Sequence, residues 1–293
     1  MSLENLARTL ERSGDYRVLR RLRPHWLEAM PQGRRVRKGL FLDLETTGLD
    51  AAFDEIIEIG MVPFAYTLDG GLIGVLPAFS RLREPSVPVP PRITELTGLT
   101  QDMLAGHSIA PEEVADFAAD ASLVIAHNAA FDRPFIEAFC PAFAEKPWAC
   151  SMSDVPWDEA GFEGRKLGYL ATQAGFFFEG HRAPDDCLAS LALLGYCDFP
   201  EGRSALSYLL DRARSVWVRI WATQAPFESK DALKARGYRW NDGMDGRPKA
   251  WFIDLPPEKR DEEETFLRDE IYRRDVELTV SEIKATDRFT SRV

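Results

Sequence analysis

Long apolar runs are missing from this 293-residue chain. No stretch approaches the roughly 18 uninterrupted apolar residues that a membrane-spanning helix needs. The opening MSLENLARTLERSGDYRVLRRLRP has no apolar segment followed by a small-residue cleavage site, which argues against secretion. Cysteine is scarce. The four present, Cys140, Cys150, Cys187 and Cys197, form no Cys-x-x-Cys pair. Neither a zinc ribbon nor a disulfide framework is therefore expected, and buried free thiols in a reducing cytoplasm fit better. Repeats and low-complexity tracts are also lacking; 45% hydrophobic and 28% charged residues describe a chain that folds.

Positive charge is in deficit, with a formal net charge of −11, which on average disfavours a polyanionic partner. The deficit is uneven. Residues 1–38 hold ten of the 36 Lys and Arg but four of the 47 acids, leaving +6 on this arm and −17 on the rest.

The arm reads as two short helices over residues 3–10 and 16–27, broken at Ser13-Gly14-Asp15 and stopped by Pro24 and Pro31. Its arginines are either a solvated helix face or a phosphate-contacting surface. From Gly39, the runs GLFLDLETTGLD, DEIIEIGMVPFAY and GGLIGVLPAFS read as three strands in a meander. Helical and strand-like segments then alternate to Phe199, giving a mixed α/β sheet flanked by helices. Past Pro200 four of the seven Trp fall within 35 residues, with strand patterns at VWVRIW, YRW and KAWFI and helix patterns at PFESKDALKARG and PEKRDEEETFLRDEIY. The expected organisation is a basic helical arm (1–38), an α/β domain (39–199) and a small Trp-rich α+β domain (204–293).

Three polar clusters interrupt the apolar segments of the middle domain. Asp43-Leu44-Glu45 lies on a strand, where residues two apart face the same way, so both carboxylates share one surface while Leu42 and Leu44 enter the core. Chance alone gives roughly seven acid-x-acid triplets at this composition, so the weight comes from placement: Leu40, Phe41 and Leu42 bury the strand and Thr46-Thr47-Gly48 ends it. The second cluster, His127-Asn128-Ala129-Ala130-Phe131-Asp132, follows the buried strand SLVIA, at the kind of strand end where open α/β sheets bind ligands. Alone, Asp132 is equally a helix cap and His127 a satisfied core histidine. The third, His181-Arg182-Ala183-Pro184-Asp185-Asp186, puts a loop histidine before a helix whose first turn carries two aspartates. Alone, those aspartates complement the helix dipole.

Taken together and in this order, the clusters resemble the DEDDh (DnaQ-like) 3′–5′ exonuclease family, which includes the epsilon proofreading subunit of DNA polymerase III. Its pattern is Asp-x-Glu, then His-Asn-x-x-Phe-Asp, then His followed five residues later by Asp, and residues 36–199 carry it. The resemblance assigns the four acids to Asp43, Glu45, Asp132 and Asp186, the five-residue spacing choosing Asp186 over Asp185, and makes His181 the general base. It implies a ribonuclease H-like fold with a five-stranded mixed sheet flanked by helices. It also implies two divalent cations, Mg²⁺ or Mn²⁺, as an all-oxygen donor set prefers, with Asp43 bridging them. Thr46, Thr47, Gly48 and Leu49, together with His127, Asn128 and Phe131, are the expected substrate-binding residues: the two threonines hold a terminal 3′-hydroxyl and Leu49 wedges against its base.

The expected function is metal-dependent removal of nucleoside 5′-monophosphates from the 3′ end of single-stranded or frayed DNA. Two alternatives stay open. One is an exoribonuclease. The other is a proofreading or targeting subunit acting mainly by binding a polymerase or repair complex. Bound cations invert the sign of an acidic pocket, which reconciles the net charge with a nucleic-acid partner. A C-terminal cluster, Arg219, Lys230, Lys234, Arg236, Arg239 and Lys249, interleaved with aromatics, is either a single-strand track or the surface of a small aromatic core. No membrane partner is expected.

Overall fold

The computed structural model describes every residue except Met1, Arg34, Cys197, Asp245, Ser291 and Val293. Cys197, expected as a buried thiol, thus lies outside the described residues, while Cys140, Cys150 and Cys187 are buried and free. The chain begins with α1 (Leu3–Ser13), whose first turn is capped by the Ser2 hydroxyl and whose end is closed by Gly14 at φ 80°. The second arm helix does not form. Instead Arg20–Arg21 makes a short strand, β1, parallel to Phe176–Phe177, and Trp26 bridges Val75. The edges of the body offer backbone partners to a segment that Pro24 already bars from continuous helix. Arg20 pairs with Glu4 and Glu11, and Arg21 with Glu179, so these charges are met by the protein itself, as a solvated face would have it.

The central sheet is built on β2 (Val36–Thr46), which runs antiparallel to β3 (Ile56–Thr67). Two short strands, β4 (Leu72–Val75) and β5 (Phe79–Leu82), both pair with β3 and share its outer flank. Six strands thus occupy five positions, one strand more than expected, because the run GGLIGVLPAFS breaks at Pro77. After α2 (Pro91–Thr97), α3 (Gln101–Leu104) and α4 (Pro111–Ala118), β6 (Val124–Ala126) pairs in parallel with β2. Helix α5 (Ala129–Phe139) leads to β7 (Trp148–Cys150), parallel to β6. Helix α6 (Leu167–Gln173), β8 (Phe176–Phe177) and α7 (Ala183–Leu194) follow. The architecture is a mixed sheet covered by helices on both faces.

Alternation along β2 sorts the two cores. Leu40, Leu42 and Leu44 enter the one shared with α4 and α5; Phe41 enters the one beneath α6 and α7. All four are at most 4% exposed, and each such burial stabilises by about 1.5–3 kcal/mol. Asp43 and Glu45 lie on the Phe41 side, facing α7. Helix α8 (Ala205–Arg214) adds Leu206, Leu209 and Leu210 to this second core, so packing of the body continues to Ala213.

The C-terminal part is a four-stranded antiparallel sheet, β10–β11–β9–β12, from β9 (Trp217–Ala222), β10 (Arg239–Asn241), β11 (Ala250–Leu255) and β12 (Thr279–Ile283). Helices α9 (Lys230–Ala235) and α10 (Arg260–Phe266) accompany it, and Val218, Ile220, Leu233, Tyr238 and Leu267 belong to its separate core. Strand β12 was not anticipated from the sequence, nor was the return of residues 284–290 to the body. There the Trp148 amide donates to the Ala285 carbonyl at 2.9 Å. Arg133, fully buried on α5, donates to the carbonyls of Thr286, Arg288 and Ala144. Among the described residues, no helix is long and apolar enough to cross a membrane.

Candidate active site

Strand β2 ends in an irregularity. Glu45 faces Glu58 across β3 while Thr46 faces Ile56, leaving Ile57 as an extra residue. Such a bulge bends the strand end just where the acidic residues emerge. The loop beyond is tight. Thr46 and Thr47 are buried, and the Thr47 hydroxyl accepts the Glu55 amide at 2.9 Å. A side chain on Gly48 would collide with the Asp54 carboxylate at 2.3 Å. Leu49 projects from this loop, 78% exposed.

Helix α7 brings the third carboxylate. Its first turn lies so close to β3 that a Cβ on Gly60 would fall 2.4 Å from the Ala183 carbonyl carbon. The Cys187 thiol, one turn on, reaches the carbonyls of Phe41 at 3.6 Å and Gly60 at 3.5 Å. Fully buried Glu58 clamps the helix start: it accepts Arg182 Nη2 at 2.8 Å and the Ala183 amide at 3.1 Å. Sequence reading missed Glu58, whose only sign was a charge inside the apolar run IIEIG.

The result is a cluster of Asp43, Glu45 and Asp186, each offering an oxygen within 4.8 Å of the others. Asp186, rather than Asp185, is the helix residue in it. One Asp186 oxygen accepts the His181 amide at 2.8 Å. His181 itself is exposed, on a loop, with φ 64°, a left-handed conformation costly for a non-glycine residue. Asp132 is buried on α5 and lies outside the tight triad, though it is near enough to act on Asp43 electrostatically. His127 donates or accepts at both ring nitrogens, to Ser151 Oγ at 2.9 Å and the Arg165 carbonyl at 2.8 Å. A carbonyl only accepts, so Nε2 carries the proton and Nδ1 takes the hydroxyl's. Burial holds this imidazole below its ordinary pKa. Asn128 is exposed with φ 93°, and Phe131 packs against Phe135 with ring centroids 5.1 Å apart.

The carboxylates disturb one another. Burial, then repulsion from Asp186 and Glu58, pushes Glu45 up to about 8, with Arg182 opposing. Burial likewise lifts Asp186 to about 7 against the pull of the His181 amide. Asp43 is raised well above the carboxylate range by burial and by Asp132, Asp186 and Glu45, and Asp132 by burial. Crowded anions of this kind are tolerable when protonated or when a cation sits among them. Oxygen donors from three carboxylates at mutual coordination reach fit a hard divalent ion such as Mg²⁺ or Mn²⁺.

The RNase T exonuclease family model matches residues 40–194, a span holding all three clusters. The epsilon subunit of DNA polymerase III from Treponema pallidum is 34% identical over 160 residues, covering 52% of this chain and 72% of that protein. A PolC-type DNA polymerase III from Clostridium perfringens is 34% identical over 160 residues, covering 53% of this chain but 11% of the polymerase. Among solved structures, the zinc-bound complex of E. coli exonuclease I with single-stranded DNA aligns with a TM-score of 0.50 at 12% identity. It covers 75% of this chain and 63% of that one, a likeness of fold.

Proposed function

The chain belongs to the DEDDh, DnaQ-like exonuclease family, and on that premise we propose that it hydrolyses nucleic acid from the 3′ end, on single-stranded or frayed DNA, releasing nucleoside 5′-monophosphates. The observation that carries this reading is the convergence of Asp43, Glu45 and Asp186 from β2 and α7 within 4.8 Å. Asp43, Glu45 and Asp186, with Asp132 behind them, would hold two divalent cations. When bound, these supply Lewis acidity at the scissile phosphate and neutralise the carboxylates.

The remaining work falls to the chain's own groups. Asp186 accepts the His181 amide, which fixes the loop, and offers an oxygen to the cluster. His181, exposed on that loop, takes the proton of the attacking water at an imidazole nitrogen; general-base groups of this sort contribute about 10²–10⁴-fold. The backbone of Thr46 and Thr47, rigid because their side chains are buried and hydrogen-bonded, orients the terminal 3′-hydroxyl. Leu49 presents an apolar surface to the last base, and Asn128 and Phe131 flank the approach. Digestion of end-labelled DNA and RNA oligonucleotides by the purified chain with Mg²⁺ or Mn²⁺ tests the reading. Stepwise release of 5′-mononucleotides from the 3′ end of DNA is expected. A strong preference for RNA would move the substrate to tails of RNA, and no cleavage of either would leave the chain a binding subunit.

A further inference from the structure

Between the body and the C-terminal sheet lies a pocket of about 420 Å³, within the range of roughly 300–1,000 Å³ common to small-ligand sites. Among the described residues five arginines line it: Arg212 from α8, Arg219 from β9, Arg239 from β10, and Arg247 and Arg288 from loops. Among the described residues two carboxylates line it, Asp154 and Asp254. Both are already engaged. Asp254 accepts Arg219 Nε at 2.7 Å and Nη2 at 3.1 Å, and Arg239 Nη2 at 2.7 Å. Asp154 accepts the Cys150 amide at 2.8 Å and Arg288 Nη2. Arg212 comes no closer to Asp154 than 3.8 Å, beyond hydrogen-bond reach.

Among the described residues, two buried donors in the pocket wall lack a hydrogen-bond partner, Nη1 of Arg288 and Nε1 of Trp217. The Arg288 side chain is only 8% exposed, so water does not readily replace what is missing. A buried donor left unmet costs about 1–3 kcal/mol, more when charged. Burial, then the neighbouring Arg288, holds Arg212 down to about 9 against the pull of Asp154 and Asp254, and its guanidinium lies over the Trp217 ring. In a protein of net charge −11, and leaving Arg219 and Arg247 aside, Arg212, Arg239 and Arg288 outnumber Asp154 and Asp254 among the described lining residues.

We propose that the pocket is an anion site that takes a phosphate group, separate from the acidic cluster. Guanidinium forks match phosphate oxygens geometrically, and a phosphate monoester, carrying about −1.5 to −2 near neutral pH, meets the excess of positive charge better than one carboxylate does. Arg212 meets the oxygens first, and small turns of the Arg288 and Trp217 side chains bring Nη1 and Nε1, covered in the resting pocket, to the same group. The volume admits a nucleoside on that phosphate. The group can come from a free nucleotide or from a nucleic-acid strand.

Calorimetric titration of the full chain in EDTA distinguishes these sources, using inorganic phosphate, dAMP and an oligothymidylate as probes. Chelation removes cation-mediated binding at the acidic cluster, so the readout does not depend on the proposed nuclease activity. Saturable binding is expected, weakened about tenfold or more by Arg212→Gln and unchanged by Asp43→Ala. Arg239→Gln, at the 61%-exposed rim, is the second variant, since Asp254 keeps Arg219 there. Binding of dAMP without the oligonucleotide identifies a nucleotide site, and binding of the oligonucleotide lost in both variants identifies a strand contact. No saturable binding of any probe, or binding equally tight in both arginine variants, overturns the proposal.

Discussion

Gly60 and Ala183 touch in a way that leaves no room for a side chain: a Cβ on the glycine would lie 2.4 Å from the Ala183 carbonyl carbon and 2.7 Å from its Cβ. Gly60 pairs with Asp43 across the sheet, and Ala183 begins the helix that carries Asp186. The distance between two carboxylates of the cluster is therefore set by the thinness of one residue between strand and helix.

Gly60→Ala should push α7 outward. A cost of about 1–3 kcal/mol in folding stability is expected from overpacking, together with a fall in nuclease activity larger than the stability loss explains. Chemical denaturation and initial-rate measurements on the same preparation separate the two effects.

Stability of the cation-free protein should fall as pH rises. Glu45 and Asp186 hold their protons in the folded state to about 8 and about 7, whereas unfolded carboxyls release theirs near their ordinary values. A raised carboxyl pKa contributes stability that is complete below the unfolded value and is lost as pH climbs through the folded one. Thermal unfolding in EDTA should therefore give a declining melting temperature from about pH 5 to pH 8. Excess Mg²⁺ should reverse the decline, its stabilising shift growing over the same interval because deprotonated carboxylates bind the ion.

Asp43→Asn removes one charge from the cluster while keeping its shape. Activity should drop by more than about 100-fold. The cation-free protein should become more stable at pH 8 than the parent, and the Mg²⁺-induced rise in melting temperature should shrink. Activity near the parent level with Mg²⁺ present would remove Asp43 from the machinery.

Arg182→Ala leaves Glu58 buried without its guanidinium partner, although the Ala183 amide remains. Loss of about 1–3 kcal/mol is expected, with Arg182→Lys recovering part of it. Equilibrium unfolding at neutral pH provides the check, and unchanged stability in the alanine variant would show the clamp to be unimportant.

Much of the site is legible in the sequence because its carboxylates interrupt segments that are otherwise apolar. Asp43 and Glu45 stand out between Leu42 and Leu44, and the step from His181 to Asp186 spans a loop and one helical turn. Glu58 is as polar as they are, but its role depends on cross-strand register with Glu45 and on contact with Arg182, 124 residues away. No local pattern encodes either. The stretch from Tyr16 to Leu27 departs from its helical pattern for the same reason, since that periodicity yields to backbone partners on Phe177 and Val75. The pocket's arginines run from 212 to 288 over α8, β9, β10 and loops, and its lining reaches back to Ala130 and Asp154, so no run of sequence announces it.

The residues after β12 give the C-terminal sheet a second mooring. Helix α8 joins it to the body at one end, and at the other Arg133 and Trp148 grip the backbone of residues 285–288. A lobe hung from a single linker swivels by default; one fastened on both sides behaves as a fixed bracket. The cleft it frames is then a standing cavity of the resting molecule, ready before any ligand arrives, and a protease would have to cut two tethers to free the lobe.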